Sequence, residues 1–240
     1  MPFTKKPEKF QSEVINIIQL TNNVKHFTIS VPKDFNFIPG QYISIIKDNP
    51  NDGIKLRRPY SIVSKVNSNI HYNSIDLCIK ILENGNITLI LNKLKKGDKI
   101  ECLGPLGNFN ISEDSLSKNI IFISTGVGIA PFMSMIPFIL EKSDKKNKIT
   151  LITGYKTNKD VLYEKELNSL EKTHTNFKYY KILSESDTGN GGRVQKLVEE
   201  HFDKNADYYI CGLKDMISSV RLLIIKKGVL GKNIYSEKYD

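Results

Sequence analysis

The chain has 240 residues, of which 40% are hydrophobic and 25% charged, a profile typical of a folded globular protein long enough for two domains. No apolar run approaches the roughly 18 to 20 residues of a membrane-spanning helix, and the first residues lack the apolar centre of a signal peptide, so we predict a cytoplasmic protein without a membrane span. Cys78, Cys102 and Cys211 form no C-x-x-C pair, which argues against disulfides, iron–sulfur clusters and a metal site.

The formal net charge of +9 would attract anionic partners, whether nucleic acids, acidic proteins or phosphate-bearing cofactors. A lysine-rich solvated surface explains the charge equally well, because lysine, asparagine and isoleucine dominate the composition. The sequence has no stripe of basic residues interleaved with aromatic ones, so we predict no nucleic-acid partner.

The first half of the chain reads as strands, because short β-branched runs alternate with turn residues from Glu13 to about Asn110. Strands are predicted at 25–31, 41–46, 60–64, 75–82 and 99–103. Five or six strands without long helices predict an antiparallel Greek-key β-barrel, which we assign to residues 1–113.

The second half alternates strands with helices and predicts a parallel, Rossmann-like α/β sheet over residues 114–240. Strands are predicted at 120–124, 149–153, 178–183, 208–211 and 233–236, and helices at 131–141, 161–170, 194–201 and 215–227. Pro137 is expected to kink the first of these helices or to end it early. Ligands of such sheets bind beyond the carboxyl ends of the strands.

Arg58-Pro59-Tyr60-Ser61 begins a predicted barrel strand and offers a guanidinium fork, a flat ring and a hydroxyl. A flavin would use these groups, although a surface arginine and a barrel tyrosine explain the tetrapeptide alone. Gly85 to Thr88 precede a short helical run, where free N–H groups suit an anion. A hairpin turn with Thr88 as helix N-cap is the alternative.

Thr125-Gly126-Val127-Gly128 lies between a predicted strand and a helix, where glycines let the backbone approach a pyrophosphate. A purely structural strand–helix turn is the alternative. Cys211-Gly212 ends a predicted central strand, where a small sulfur side chain can lie against a planar ligand or pack in the core.

In this order the motifs resemble those of the plant-type ferredoxin–NADP(+) reductase family, an FAD-binding barrel followed by an NAD(P)-binding domain. The matching patterns are R-x-Y-S at 58–61, G-x-x-T at 85–88, G-P-x-G at 104–107, T-G-x-G-x-A-P at 125–131, C-G-x-x-x-M at 211–216 and E-x-Y at 237–239. The resemblance extends from about residue 39 to the end.

The resemblance implies that Arg58, with Pro59, binds the FAD pyrophosphate, that Tyr60 stacks on the isoalloxazine, and that Ser61 hydrogen-bonds near its N5. Thr88, with the adjacent backbone from Gly85, would also hold the pyrophosphate.

In the second domain, the resemblance implies that Thr125, Gly126 and Gly128 contact the nucleotide phosphates. Cys211 and Gly212 would lie by the nicotinamide, and Glu237 and Tyr239 match a terminal motif whose aromatic ring covers the flavin. Ser61, Cys211, Glu237 and Tyr239 would then be the catalytic residues. Asp240 extends the chain one residue beyond the family pattern and would loosen the aromatic lid or point to solvent.

Glu185 stands where NADP-specific members have an arginine, and its carboxylate would repel a 2′-phosphate. Lys156 and Arg193 fall near positions where relatives grip that phosphate. Two cations against one anion favour NADP over NAD.

The implied activity is FAD-dependent hydride transfer between NADP(H) and flavin N5, coupled to one-electron exchange with a carrier protein. An acidic ferredoxin or flavodoxin would suit the basic chain, and we expect a monomer. An NADH-dependent reductase component serving an oxygenase or another redox partner is the alternative. A nucleic-acid-binding module would lack a yellow cofactor, and a flavin-free relative would have lost Arg58, Tyr60 or Ser61. The four histidines lie outside every motif and are interpreted as surface or packing residues: His26, His71, His174 and His201.

Overall fold

The computed structural model describes residues 6–48, 53, 55–65, 73–143, 146–185 and 191–239, so that His71 and Asp240 lie outside the described residues. The chain divides into two compact units. The first unit contains residues 1–110 and 130–138, and the second contains residues 111–129 and 139–240. The domain boundary between residues 113 and 114 stays a prediction.

The first unit is a six-stranded antiparallel sheet in the order β4-β3-β6-β1-β2-β5. Its elements are β1 (Glu8–Thr21), β2 (Val24–Ser30), β3 (Tyr42–Asp48), β4 (Lys55–Ser61), β5 (Ser74–Lys80), α1 (Asn86–Asn92) and β6 (Lys99–Leu106). An isolated antiparallel bridge between Ile62 and Leu77 joins the chain after β4 to β5, the strand at the other end of the order. The sheet therefore closes on itself, which confirms the predicted antiparallel fold.

Alternating residues of the strands face the barrel core, as a two-residue period requires. In β5, Ile75, Leu77 and Ile79 are fully buried, and Ile87 and Leu91 of α1 pack into the same cluster. The short helix is thus held by burial rather than by its own length.

The fourth strand lies earlier than the sequence indicated, at Lys55–Ser61 rather than at 60–64. The β-branched pair at 62 and 63 favoured the later position. The observed strand pairs with β3, placing Pro59 opposite Ser44. Because β4 ends the strand order, a proline without an N–H is tolerated there.

The second unit is a five-stranded parallel sheet in the order β11-β10-β7-β8-β9. Its strands are β7 (Ile120–Thr125), β8 (Ile149–Tyr155), β9 (Phe177–Leu183), β10 (Asp207–Gly212) and β11 (Ile234–Lys238). The chain runs outward from β7 through β8 to β9 and then returns to β10 on the other side. Because the strand order reverses between β7 and β10, the crevice at the carboxyl ends of these two strands is the expected ligand site. The predicted parallel α/β sheet is confirmed.

Within the described residues, four α-helices follow the strands: α2 (Ala130–Lys142), α3 (Glu164–Thr173), α4 (Val194–Glu200) and α5 (Lys214–Lys226). The short 3₁₀ turns are Asp114–Ser117, Gly126–Ile129, Asn158–Asp160 and Gly231–Asn233. None of the helices in the described part of the chain is long and apolar enough to cross a membrane.

Helix α2 continues through Pro137 to Lys142, so an early end at the proline is wrong. Phe132, Ile136 and Ile139 of this helix are fully buried. Burial of such side chains stabilises by about 1.5–3 kcal/mol each, which offsets the roughly 3 kcal/mol cost of an interior proline.

Candidate cofactor-binding sites

The R-x-Y-S motif forms the end of β4, which ends the order of the described strands and pairs with β3. Arg58 is exposed, Tyr60 is half-buried and Ser61 is buried. Arg58 and Tyr60 are two residues apart on a strand and therefore share a face. One Arg58 N–H donates to the carbonyl of Arg57 at 3.0 Å, and the exposed guanidinium keeps further donors for an external anion.

The Tyr60 hydroxyl is buried and has no hydrogen-bond partner among the described residues. Burial raises the pKa of Tyr60 far above its ordinary value, although the Arg58 guanidinium lowers it, so this hydroxyl stays a neutral donor. An unpaired buried hydroxyl costs about 1–3 kcal/mol, which a ligand oxygen at this position would recover. The motif therefore fits FAD.

Helix α1 lies beside β4 and begins at Asn86, so the hairpin alternative for this segment is wrong. Thr88 is not the N-cap, because that position belongs to Gly85. The Thr88 hydroxyl accepts from the N–H of Leu82 at 3.2 Å, and it lies 3.3 Å from the Leu82 carbonyl and 3.2 Å from the Gly85 carbonyl. The Thr88 side chain thus hydrogen-bonds within its own turn. The backbone N–H groups at the start of α1 remain to bind a phosphate.

In the second unit, predicted nucleotide-site residues gather at the carboxyl ends of β7, β10 and β11. In the sheet register, Cys211 is paired with Ser124 on one side and with Glu237 on the other. The N–H of Tyr239 donates to the carbonyl of Gly212 at 3.0 Å. The terminal E-x-Y motif therefore lies alongside the C-G motif.

The glycines at this edge allow two segments of backbone to touch. A Cβ on Gly128 would overlap the carbonyl oxygen of Cys211 and lie 2.7 Å from its carbon. Gly212 has φ of 149°, and a Cβ there would lie 2.5 Å from the Thr125 hydroxyl oxygen. Larger residues at either position would push the strand ends apart.

Two hydroxyls at the end of β7 remain unsatisfied. The buried Ser124 and Thr125 side-chain oxygens find no hydrogen-bond partner within the described chain. The 3₁₀ turn after them, Gly126–Ile129, is the segment that the glycine motif predicts to approach a phosphate. This arrangement fits a dinucleotide phosphate. Ser124 directly precedes the T-G-x-G-x-A-P motif, and its hydroxyl was not among the predicted site residues.

The Cys211 thiol is fully buried, and burial, followed by the neighbouring Glu237 carboxylate, raises its pKa well above the ordinary value. A neutral, buried thiol is a poor nucleophile. Cys211 is therefore suited to packing as a small soft side chain rather than to covalent chemistry.

Lys156, Glu185 and Arg193 lie around the carboxyl ends of β8 and β9. The Lys156 Nζ is 3.3 Å from a Glu185 carboxylate oxygen, and both side chains are well exposed, at 67% and 61%. The Glu185 N–H also donates to the Lys156 carbonyl at 2.8 Å. Arg193 is the N-cap of α4. Sequence reasoning weighed Lys156 and Glu185 as independent charges, whereas the structure pairs them.

Two family models cover most of the chain. The oxidoreductase FAD-binding domain matches residues 11–111, and the oxidoreductase NAD-binding domain matches residues 122–222. The first match contains the R-x-Y-S motif, and the second contains Gly128 and Gly212.

Curated relatives include several kinds of reductase. The chain is 30% identical to NADH-cytochrome b5 reductase 1 of Lodderomyces elongisporus, over 92% of this chain and 76% of that protein. It is 28% identical to ferredoxin–NADP reductase B of Sorangium cellulosum, over 97% and 98% of the two chains. It is 27% identical to the anthranilate 1,2-dioxygenase electron transfer component of Acinetobacter baylyi, over 94% of this chain but only 65% of that protein.

Solved structures agree. The ferredoxin–NADP+ reductase from Plasmodium falciparum with 2′P-AMP has a TM-score of 0.78 at 26% identity, over 96% of both chains. The Amycolatopsis cytochrome P450 reductase GcoB has a TM-score of 0.85, over 97% of this chain and 70% of that one, and at 19% identity it supports the fold alone. Fold, domain matches and relatives together show that the chain belongs to the ferredoxin–NADP(+) reductase family of FAD- and NAD(P)-binding oxidoreductases.

Proposed function

We propose that this chain is an FAD-dependent reductase that couples hydride exchange with NADP(H) to one-electron exchange with an acidic carrier protein, a ferredoxin or a flavodoxin. The observation that carries the proposal is the presence of two chemically different sites on one chain. One presents the arginine and tyrosine of β4, and the other presents backbone and unpaired hydroxyls at the end of β7.

In the first unit, Arg58 would bind the FAD pyrophosphate, the Tyr60 ring and hydroxyl would hold the cofactor, and Ser61 would donate near the flavin ring. Bound FAD supplies the conversion between two-electron hydride chemistry and single-electron transfer. The protein's own contribution is binding and orientation.

In the second unit, Ser124, Thr125 and the N–H groups that follow would bind the nucleotide phosphates. Gly128 and Gly212 let the turn after β7 pack directly against the end of β10. Cys211 would offer a neutral, compact surface to the nicotinamide, and Tyr239 would occupy that position when the nucleotide is absent.

Charge supports an acidic carrier. Residues 1–110 contain 15 lysines and arginines against nine aspartates and glutamates, so the excess of positive charge is concentrated in the part that carries the FAD motif. Such a field steers acidic proteins toward it and raises their association rate at low salt.

A second candidate is an NADH-dependent reductase component that serves an oxygenase. The ion pair between Lys156 and Glu185 favours it, because the carboxylate neutralises a cation that a 2′-phosphate would need. Relatives named as electron-transfer or reductase components of anthranilate dioxygenase and phenol 2-monooxygenase are consistent with it.

Steady-state reduction of defined acceptors tests the proposal. FAD-loaded protein is mixed with NADPH or NADH and with a plant-type [2Fe–2S] ferredoxin, a flavodoxin or ferricyanide. We expect saturable reduction of a carrier with NADPH that weakens as salt rises, while ferricyanide reduction changes less. Ferricyanide reduction without saturable reduction of either carrier would contradict the carrier assignment, and a tenfold preference for NADH would favour the second candidate.

A further inference from the structure

A cluster of polar side chains lies where the barrel closes, directly downstream of the FAD motif. It consists of His26 and Thr28 of β2, Ser64 after β4, and Asp76 of β5, and we call it the seam cluster. No catalytic or binding role is assigned to these residues by the motifs above.

The backbone after Ser61 is fixed at this seam. The N–H of Ile62 donates to the Gln41 carbonyl at 3.0 Å, which continues the pairing with β3, and the N–H of Val63 donates across the seam to the Asp76 carbonyl at 2.8 Å. Ile62 also forms the isolated bridge with Leu77. Strand β4, whose ladder partner among the described strands is β3, is therefore anchored to the rest of the barrel immediately after its last residue.

The Asp76 carboxylate connects three segments. It accepts from the Thr28 hydroxyl at 2.8 Å and from the Ser64 hydroxyl at 3.3 Å, and it lies 3.3 Å from His26 Nε2. The Asp76 N–H in turn donates to the Ser64 hydroxyl oxygen at 2.6 Å. Burial raises the pKa of Asp76, but the hydrogen bonds from His26, Thr28 and Ser64 together hold it below the ordinary value, so the group stays an acceptor.

We propose that Asp76 is a positioning residue for FAD: through Ser64 and the Val63 backbone it holds the end of β4 so that Tyr60 and Ser61 present a fixed surface to the cofactor. The half-buried Tyr60 has an unpaired hydroxyl, so its useful position depends on the strand rather than on hydrogen bonds of its own. The proposal rests on FAD binding and not on the choice of carrier.

The test compares two seam variants with a control elsewhere in the barrel. Asp76→Asn keeps the size of the side chain but removes a carboxylate acceptor, and Ser64→Ala removes the other half of the contact. Ser12→Ala is the control, because the Ser12 hydroxyl is equally part of the barrel, is 1% exposed and donates to the Ser30 carbonyl at 2.7 Å. All three remove a hydrogen bond, but only the first two remove it at the seam.

Three quantities are measured for each variant: the urea midpoint of the FAD-free protein, the FAD dissociation constant, and the visible circular dichroism of the bound flavin. We expect all three variants to lower the midpoint. Only the seam variants should weaken FAD binding, by about tenfold, and change the flavin circular dichroism.

Two outcomes would overturn the proposal. In the first, Asp76→Asn and Ser64→Ala bind FAD within about twofold of wild type with unchanged circular dichroism, which makes the seam purely structural. In the second, Ser12→Ala weakens FAD binding as much as they do, which makes the effect a general loosening of the barrel. If Asp76→Asn does not fold, Ser64→Ala decides. A failure to reduce any carrier would concern the proposed function and leave these FAD measurements unaffected.

Discussion

The two units offer different kinds of groups to their cofactors. The first unit presents side chains, Arg58, Tyr60 and Ser61, from the end of an antiparallel strand. The second presents closely packed backbone, because Gly128 and Gly212 let the turn after β7 approach the end of β10, together with the hydroxyls of Ser124 and Thr125. Changes in the first unit should therefore act by removing donors, and changes in the second by adding atoms.

The difference follows from sheet geometry. Parallel strands bring their carboxyl ends and the following helix N-termini to one edge, where N–H groups and helix dipoles already favour phosphates. An antiparallel barrel has no such edge, so in the first unit the arginine and hydroxyl side chains of β4 supplement the backbone N–H groups at the start of α1.

The largest effect is expected for Gly128→Ala. The added Cβ would overlap the Cys211 carbonyl, so the two backbone segments must separate and the nucleotide edge must change shape. We expect kcat/KM for NADPH and NADH to fall about 100-fold, equivalent to about 2.7 kcal/mol, while FAD stays bound. Gly231→Ala is the control, because nothing lies within 4 Å of a Cβ at that position. Unchanged kinetics in Gly128→Ala would show that close backbone approach is not required.

Arg58→Ala should weaken FAD binding by about 10- to 100-fold, because a charge-assisted contact to the pyrophosphate is lost. Titration of FAD-free protein with FAD measures it. Arg57→Ala is the matched control, since Arg57 is also exposed but, as the preceding residue of the strand, points to the opposite face. Equal losses in both variants would indicate a general electrostatic effect rather than a specific contact.

Tyr60→Phe should change two quantities in opposite directions. Removing an unpaired buried hydroxyl should raise the free energy of unfolding of the FAD-free protein by up to about 1 kcal/mol. FAD affinity should fall about tenfold, because the hydroxyl is expected to meet a cofactor oxygen. Urea unfolding and FAD titration check this pair, and a variant that is both less stable and unchanged in affinity would contradict it.

A smaller effect is expected at the exposed ion pair. Glu185→Gln frees Lys156 and removes a like charge from a 2′-phosphate, so the ratio of kcat/KM for NADPH over NADH should rise about three- to fivefold. Lys156→Gln should lower the same ratio. If neither substitution changed this ratio, the 2′-phosphate would bind elsewhere.

The smallest signal is expected from the thiols. Cys78, Cys102 and Cys211 are buried, and burial raises the pKa of Cys102 to about 12 and that of Cys211 well above its ordinary value. Ellman's reagent should find three thiols after unfolding and essentially none before. Because unfolding returns these two thiols to an ordinary pKa near 9, they should lower the free energy of unfolding as pH rises above that value. Rapid labelling of Cys211 in the folded protein would contradict its burial.

Most of the fold could be predicted from local sequence patterns. The strand–glycine–helix order at 120–131 and the alternation of residues 25–31 specify elements over a few residues, and both formed as expected. The predicted position of the fourth strand was wrong because pairing with β3 determines where β4 lies. The continuation of α2 past Pro137 depends on burial that the local sequence does not show.

Contacts between distant segments could not be predicted. The pairing of Lys156 with Glu185 requires the register of β8 against β9. In the seam cluster, His26 lies next to Asp76, about fifty residues later, because β2 pairs with β5, whereas the sequence alone suggested a surface or packing histidine. Asp76 belongs to no motif, so nothing in the chain pointed to it.

Anaerobic mixing of the FAD-loaded protein with NADPH and, in parallel, with NADH is the decisive experiment for the proposal that the first unit binds FAD and the second binds the nicotinamide nucleotide that reduces it. The visible flavin absorbance should bleach within the turnover time, and faster with NADPH. A protein that takes up no FAD, or one that stays yellow with both nucleotides, would contradict the account.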